Sequence, residues 1–227
     1  MKTIMFNDKF GLTEAVLNGK KTMTRRICKY DRPNENYEIV FPVFEPEEYD
    51  NDGNITSKLD RAFGWRDKEG NFTGWNIPKY RIGEVVAIAQ SYKDANVRYI
   101  PEEYEELGCY YNFPADQTKG WNNKMFVRAD LMSHQIQITD ISIQKLRDIS
   151  DEDVIKEGFS LEPINDNNGS YAFHHEYMLT YLDKMGLSKE IKDRSAKEAY
   201  SLLIDKIYPN LLWENPYVFI YEFKLVK

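Results

Sequence analysis

Apolar and polar positions change period several times along this chain of 227 residues, and the changes mark the elements. Residues 3–6 read as a short strand. Leu12, Ala15 and Val16 fall at i, i+3 and i+4, which predicts a short helix over 11–17. Asn18-Gly19 ends it, with Gly19 free to take the left-handed conformation. Residues 20–26 then alternate through Thr22, Thr24 and Arg26 as the start of a strand. Residues 29–80 carry no helical period. Asn51-Asp52-Gly53-Asn54 is a turn signal, and 65–72 predicts a hairpin turning near Glu69-Gly70. Arg81-Ile82-Gly83-Glu84 is a turn before a buried strand at 85–89, and 94–123 reads as loop-rich.

Strands are predicted at 124–127 and 135–143. In the second, Ile136, Ile138 and, past Thr139-Asp140, Ile141 and Ile143 give one buried face. Ser150 caps a short helix whose first turn carries Asp151, Glu152 and Asp153, complementing the positive helix end; Gly158 closes it. A helix is predicted over 171–185. Ser195-Ala196-Lys197-Glu198 is a capping box opening another, which runs to about Tyr208 and stops at Pro209. Residues 217–226 are rich in β-branched and aromatic side chains and predict a last strand, entered through Trp213-Glu214-Asn215-Pro216. This order argues for one α+β domain over 1–227: a mostly antiparallel, barrel-like sheet with attached helices and long loop insertions at about 29–80 and 94–123.

Composition narrows the class. Hydrophobic residues at 42% exclude global disorder. No apolar run is long enough to span a bilayer and no signal peptide is evident, so a cytoplasmic protein without membrane contact is expected. Two cysteines, Cys28 and Cys109, and three histidines, two of them the adjacent His174 and His175, leave no disulfide framework and no metal-ligand spacing. No metal or cofactor is expected. The net charge of −7 argues against a broad duplex-binding face but leaves room for a local basic pocket. The acidic runs Glu45-Pro46-Glu47-Glu48 and Glu102-Glu103-Tyr104-Glu105-Glu106 read as solvated insertions.

The local basic element is Gly19-Lys20-Lys21-Thr22-Met23-Thr24-Arg25-Arg26, four cations and two hydroxyls in eight residues. A glycine turn lets backbone approach a ligand, arginine offers a planar fork to phosphate or carboxylate, and lysine offers a point charge. Lys20, Lys21, Arg25 and Arg26 can serve one or two phosphates.

The spacing Gly19-x-Lys21-x-x-Thr24-x-Arg26 resembles the GxKxxT/ExR signature of the ASCH domain, a relative of the PUA RNA-binding barrel. Further segments, in order, are similar to the larger, phage-associated form of that family: residues 80–86, 123–127, 138–141, 146–150, Glu157-Gly158 and 213–216. The resemblance implies a PUA-like, mostly antiparallel β-barrel around a cleft with the glycine turn at its rim. It implies a nucleoside, nucleotide or short single-stranded RNA as partner. Some small members hydrolyse the amide of N4-acetylcytidine with a Lys, a Thr and a Glu, which carry over onto Lys21, Thr24 and Glu157. Arg26 matches the family's arginine. Gln90 stands where many phage-type members have Glu; it can hydrogen-bond but carries no charge. Gly19, Arg25, Arg26 and Gln90 are therefore the expected substrate-binding residues.

Three readings stay open. The first is a nucleotide- or RNA-binding protein with a basic cleft. The second is an amidohydrolase on an N4-acylated cytidine-type nucleoside. There Lys21, lowered in pKa by burial and neighbouring cations, activates Thr24 or a water. Glu157 holds that base or protonates the leaving amine, and Arg26 with backbone N–H groups stabilises the oxyanion. The third is a phage-derived interaction protein with a vestigial cleft. Ligand and oligomeric state are not fixed by the sequence.

Overall fold

A computed structural model describes residues 1–42, 60–99, 115–163, 171–174 and 195–226. Their architecture is mixed α+β. Five strands form the main sheet: β1 (Thr3–Ile4), β2 (Met23–Ile27), β5 (Val85–Ile88), β6 (Gln135–Lys145) and β9 (Tyr217–Leu225), in the order β1-β5-β6-β9-β2. β1 runs parallel to β5, and the other three junctions are antiparallel. The strands expected at 3–6, 85–89, 135–143 and 217–226 thus share one sheet. Two small two-stranded antiparallel sheets pair β3 (Glu38–Val40) with β4 (Gly64–Arg66) and β7 (Ser160–Pro163) with β8 (Tyr171–His174).

Both faces of this sheet are covered, and β9 shows how. Val218 and Ile220 belong to one apolar cluster; Phe219, Tyr221 and Phe223 belong to the other. A strand buried on both faces carries apolar residues at every position, so its period of two is weak in the sequence. β6 solves a different problem. Its register with β9 shifts between Ile138 and Asp140, so Ile136, Ile138 and Ile141 remain in the same cluster across an odd spacing. One extra residue in a strand does this at the cost of a local break in the ladder.

The first cluster also takes in Phe63, Trp65 and Tyr80 from within the stretch expected to be an insertion. Region 60–80 is therefore part of the core. Its hairpin turns where expected, with Gly70 at φ +91° and Asp67 exchanging backbone bonds with Gly70 and Asn71. Helix α1 (Leu12–Leu17) buries Val16 in this first cluster. The second cluster lies under helices α2 (Asp151–Lys156) and α3 (Ala196–Ile207), with the short α4 (Leu211–Glu214) after them. Ser195 and Glu198 close a capping box at the start of α3 as expected.

Two expectations are corrected. Residues 124–126 form a 3-10 turn, because the Asn123 side chain accepts from the Met125 N–H at 3.0 Å and so offers the backbone a competing bond. Residues 171–174, expected to begin a helix, are strand β8, whose aromatic sequence suits a ladder with β7. Residues 175–185, the turn at 51–54 and both acidic runs lie outside the described residues, as does Cys109. Among the described residues no helix is long and apolar enough to cross a membrane.

Candidate functional site

Two helix ends meet at the start of β2. After α1, the Gly19 N–H bonds the Val16 carbonyl and the Lys20 N–H bonds that of Ala15, both at 2.9 Å, with Gly19 at φ +69°. This is the bond pair of a Schellman motif, and glycine is suited to it because it takes φ > 0 without strain. Nothing lies within 4 Å of a Cβ built at Gly19, and it does not line the pocket. Its role is conformational; it does not make room for a close approach. The same pair ends α2: Gly158 bonds Ile155, Phe159 bonds Val154, and Gly158 sits at φ +104°. The Thr22 N–H then bonds the Lys156 carbonyl at 2.8 Å, tying one helix end to the other. Lys21 and Glu157 meet there although 136 residues separate them.

The Lys21 ammonium donates to Glu157 Oε2 and, at 3.1 Å, to the Glu157 carbonyl at the negative end of α2. Arg25 Nη1 donates to Glu157 Oε1 and its Nη2 to Asp153 Oδ2, each at 2.7 Å. With its amide oxygen turned toward Arg25, Gln144 accepts from Nη2 at 2.8 Å. The Arg25 side chain is 3% exposed, and its guanidinium lies over the Tyr200 ring at 5.8 Å. Both oxygens of Glu157 are thereby held by cations. Burial lowers the Lys21 pKa; the Glu157 carboxylate opposes the shift, and Arg26 and Arg25 add to it. Burial pushes the Tyr200 hydroxyl well above its ordinary value, with the Glu157 charge adding, so Tyr200 stays neutral.

These groups border a pocket of about 660 Å³ that runs along the β2 edge. Lys9, Lys21, Arg25, Arg26 and Lys124 line it against two carboxylates, Asp8 and Glu157. Its apolar wall comes from Phe6, Leu12 and Leu146 and from Leu203, Ile204 and Ile207 of α3. Thr24 lines it too. It is 6% exposed, and among the described residues its hydroxyl has no hydrogen-bond partner. A buried hydroxyl without a partner calls for a ligand or a water. Arg26 Nη2 donates to the Met5 carbonyl at 2.6 Å, and its guanidinium lies 5.9 Å from the centre of the Phe6 ring. Since β1 and β2 are the two edges of the sheet, Arg26 bridges them. Among the described residues no carboxylate pairs with it.

The structure thus brings Lys21, Thr24, Arg25, Arg26 and Glu157 to one pocket. The donors of Arg25 serve the protein's own carboxylates. Gln90 does not line the pocket; it hydrogen-bonds His134 Nδ1 at 2.9 Å. Sequence reasoning missed Lys124, which pairs with Asp8 at 2.7 Å and donates to the Phe6 carbonyl, and it missed Asp153 as an Arg25 partner. Asp153 was legible only as a helix-start acid. Among the described residues no three His, Cys, Asp or Glu side chains cluster as metal ligands.

Comparison with protein-family models, with curated proteins and with solved structures finds no match to this chain.

Proposed function

We propose that the β2-edge pocket binds a nucleoside, a nucleotide or the end of a short single-stranded RNA, in a protein of the ASCH, PUA-like type whose five-stranded sheet is part of a barrel. One observation carries the reading. In a chain of net charge −7, the pocket wall sets five cations against two carboxylates and faces them with an apolar surface. That combination suits a ligand with an anionic end and a flat, weakly polar body, and the volume lies within the range of small-molecule sites. The turn from Gly19 to Arg26, on which the family resemblance rests, supplies three of the five cations.

Binding assays on the full chain test it. Nucleosides, nucleotides and short single strands bind, and Lys21→Ala weakens them. Few phosphate contacts give a log–log salt slope of about −1 to −2, against roughly −5 or steeper for a protein making six or more contacts. Tight duplex binding with a steep slope defeats the reading, as does failure of every nucleic-acid component to bind.

A second reading, hydrolysis of an amide on a modified nucleoside, is favoured by the unpartnered hydroxyl of Thr24 in the pocket that the buried Lys21–Glu157 pair also lines. Lys21, lowered in pKa, takes the proton from Thr24 or from a water as that oxygen attacks the carbonyl carbon. Glu157, with both oxygens held, positions the lysine. Lys21 returns the proton to the departing amine, and Arg26 offers N–H donors to the oxyanion. Where Thr24 attacked, a water that Lys21 deprotonates then cleaves the acyl-Thr24 ester and frees the acid and the Thr24 hydroxyl. Thr24→Ala then spares binding and abolishes release of the amine from an N4-acylated cytidine. Unchanged turnover in that variant rules out attack by Thr24, and unchanged turnover in Lys21→Ala rules out both routes.

A further inference from the structure

On the far side of the Arg26–Met5 bridge lies a second cavity, of about 320 Å³. It shares Met5, Arg26 and Ile27 with the first, so the two abut along the edge of β2. Its chemistry is different. Arg26, Lys29 and Lys79 line it, and among its described lining residues there is no carboxylate. Lys29 and Lys79 are exposed and lie over the rings of Tyr30 and Tyr80, at 4.8 and 5.4 Å. The wall holds Tyr221, which is 1% exposed. Its hydroxyl accepts from the Lys79 N–H at 2.8 Å, and among the described residues its own O–H has no acceptor. A buried donor without an acceptor is costly unless a ligand or water supplies one.

Three cations and an unspent hydroxyl donor around one small cavity select an anion with several acceptor oxygens. We propose that this second cavity is a phosphate subsite, holding the phosphoryl group of a ligand whose nucleoside occupies the first. Arg26 stands between the two and reaches both. The subsite makes the preferred ligand a nucleotide, or a strand bearing a terminal or bridging phosphate, over the free nucleoside. The nucleoside half of this statement rests on the proposed function; the anion half does not.

Calorimetric titration of the full chain separates them. The probes are a nucleoside, its 5′-phosphate and inorganic pyrophosphate, against the native protein, the Lys29→Ala/Lys79→Ala double variant and Tyr221→Phe. The native chain is expected to bind the nucleotide about tenfold or more above the nucleoside, as charged hydrogen bonds to phosphate imply. That preference falls about tenfold in the lysine variant and by a smaller factor in Tyr221→Phe, which keeps the ring and loses only the donor. Equal binding of nucleoside and nucleotide overturns the subsite while the proposed function stands. Pyrophosphate binding that depends on Lys29 and Lys79, with neither the nucleoside nor the nucleotide bound, supports an anion subsite and defeats the proposed function. A nucleotide preference that survives in both variants overturns it.

Discussion

Glu157→Gln keeps the shape of the side chain and removes the one charge that holds two cations. In the native chain the carboxylate meets Lys21 through Oε2 and Arg25 through Oε1, and all three side chains are 7% exposed or less. Removing one partner of a buried ion pair costs about 3–5 kcal/mol, because the remaining charge is left without compensation. Arg25 keeps Asp153 at 2.7 Å; Lys21 keeps only the carbonyl of residue 157. Lysine can escape by losing its proton, which caps its share at about 4.6 kcal/mol near pH 7. The expected loss is therefore about 3–5 kcal/mol, and the escape route makes it depend on pH. The folded pKa of Lys21 is already lowered by burial against the pull of Glu157, and without Glu157 it falls further. Between each folded value and the unfolded value of about 10.4, the unfolded chain binds the extra proton, so stability rises with pH. The variant enters that window first. Its deficit shrinks between its own folded value and the native one, by at most about 1.4 kcal/mol per pH unit. Cys28, Tyr80 and Tyr221, raised to about 12 by burial, lose stability as pH climbs, but they do so in both chains and drop out of the difference. Urea unfolding followed by tryptophan fluorescence at about pH 7 and about pH 9 measures both quantities. A deficit under about 1 kcal/mol near pH 7, or one that grows between about pH 7 and about pH 9, refutes the reasoning. Adding Lys21→Met to Glu157→Gln should restore part of the loss, since no unpaired ammonium then remains.

Arg25→Lys replaces a fork that spans Glu157 and Asp153 with a point charge that reaches one of them; about 2 kcal/mol of stability is lost, read by thermal unfolding, and ligand affinity falls with it. Gly158→Ala forces an L side chain to φ +104° beside Glu157 and costs about 1–2 kcal/mol in the same assay. Ser195→Ala opens the capping box of α3 for about 1 kcal/mol without changing ligand affinity. Cys28, buried and with its thiol pushed up to about 12, stays unlabelled by iodoacetamide near neutral pH in the folded chain and is labelled in denaturant; peptide mass mapping distinguishes the two, and labelling of the folded chain contradicts the burial.

What the sequence disclosed about the fold followed from how each element is buried. β6 was legible through its isoleucines because their spacing survives the register shift at Ile138/Asp140. Helices α2 and α3 were legible from their caps, Ser150 and Ser195, because a side chain that satisfies a free N–H leaves a local signature. β9 was legible from composition more than from pattern, since a strand covered on both faces has little alternation to show. The failures have the opposite cause. Residues 124–127 and 171–174 are short, so one local bond from Asn123 decides the first and pairing with the distant Ser160–Pro163 decides the second. The first influence lies within a window of a few residues but competes there with a strand-like run of side chains; the second is not visible in such a window.

The site divides along the same line. The turn from Gly19 to Arg26 stood out because charge and glycine are concentrated in it, and the resemblance attached Glu157 to it across 136 residues. Which of two adjacent arginines turns inward was not legible. Successive side chains on a strand point to opposite faces, and both faces of this sheet are covered. On β2 the choice falls with Met23 and Arg25, whose face lies under α2 and α3, where Asp153 and Glu157 supply the charges that a buried guanidinium requires. Thr24 and Arg26 fall on the other face. Because β2 is an edge strand, residues of both faces reach the pocket beside it. One side then supplies a saturated ion cluster that fixes Lys21, and the other supplies an unpartnered hydroxyl and a guanidinium with no carboxylate among the described residues. An edge position is what lets eight consecutive residues bring both a buried ion cluster and polar groups outside that cluster to one pocket.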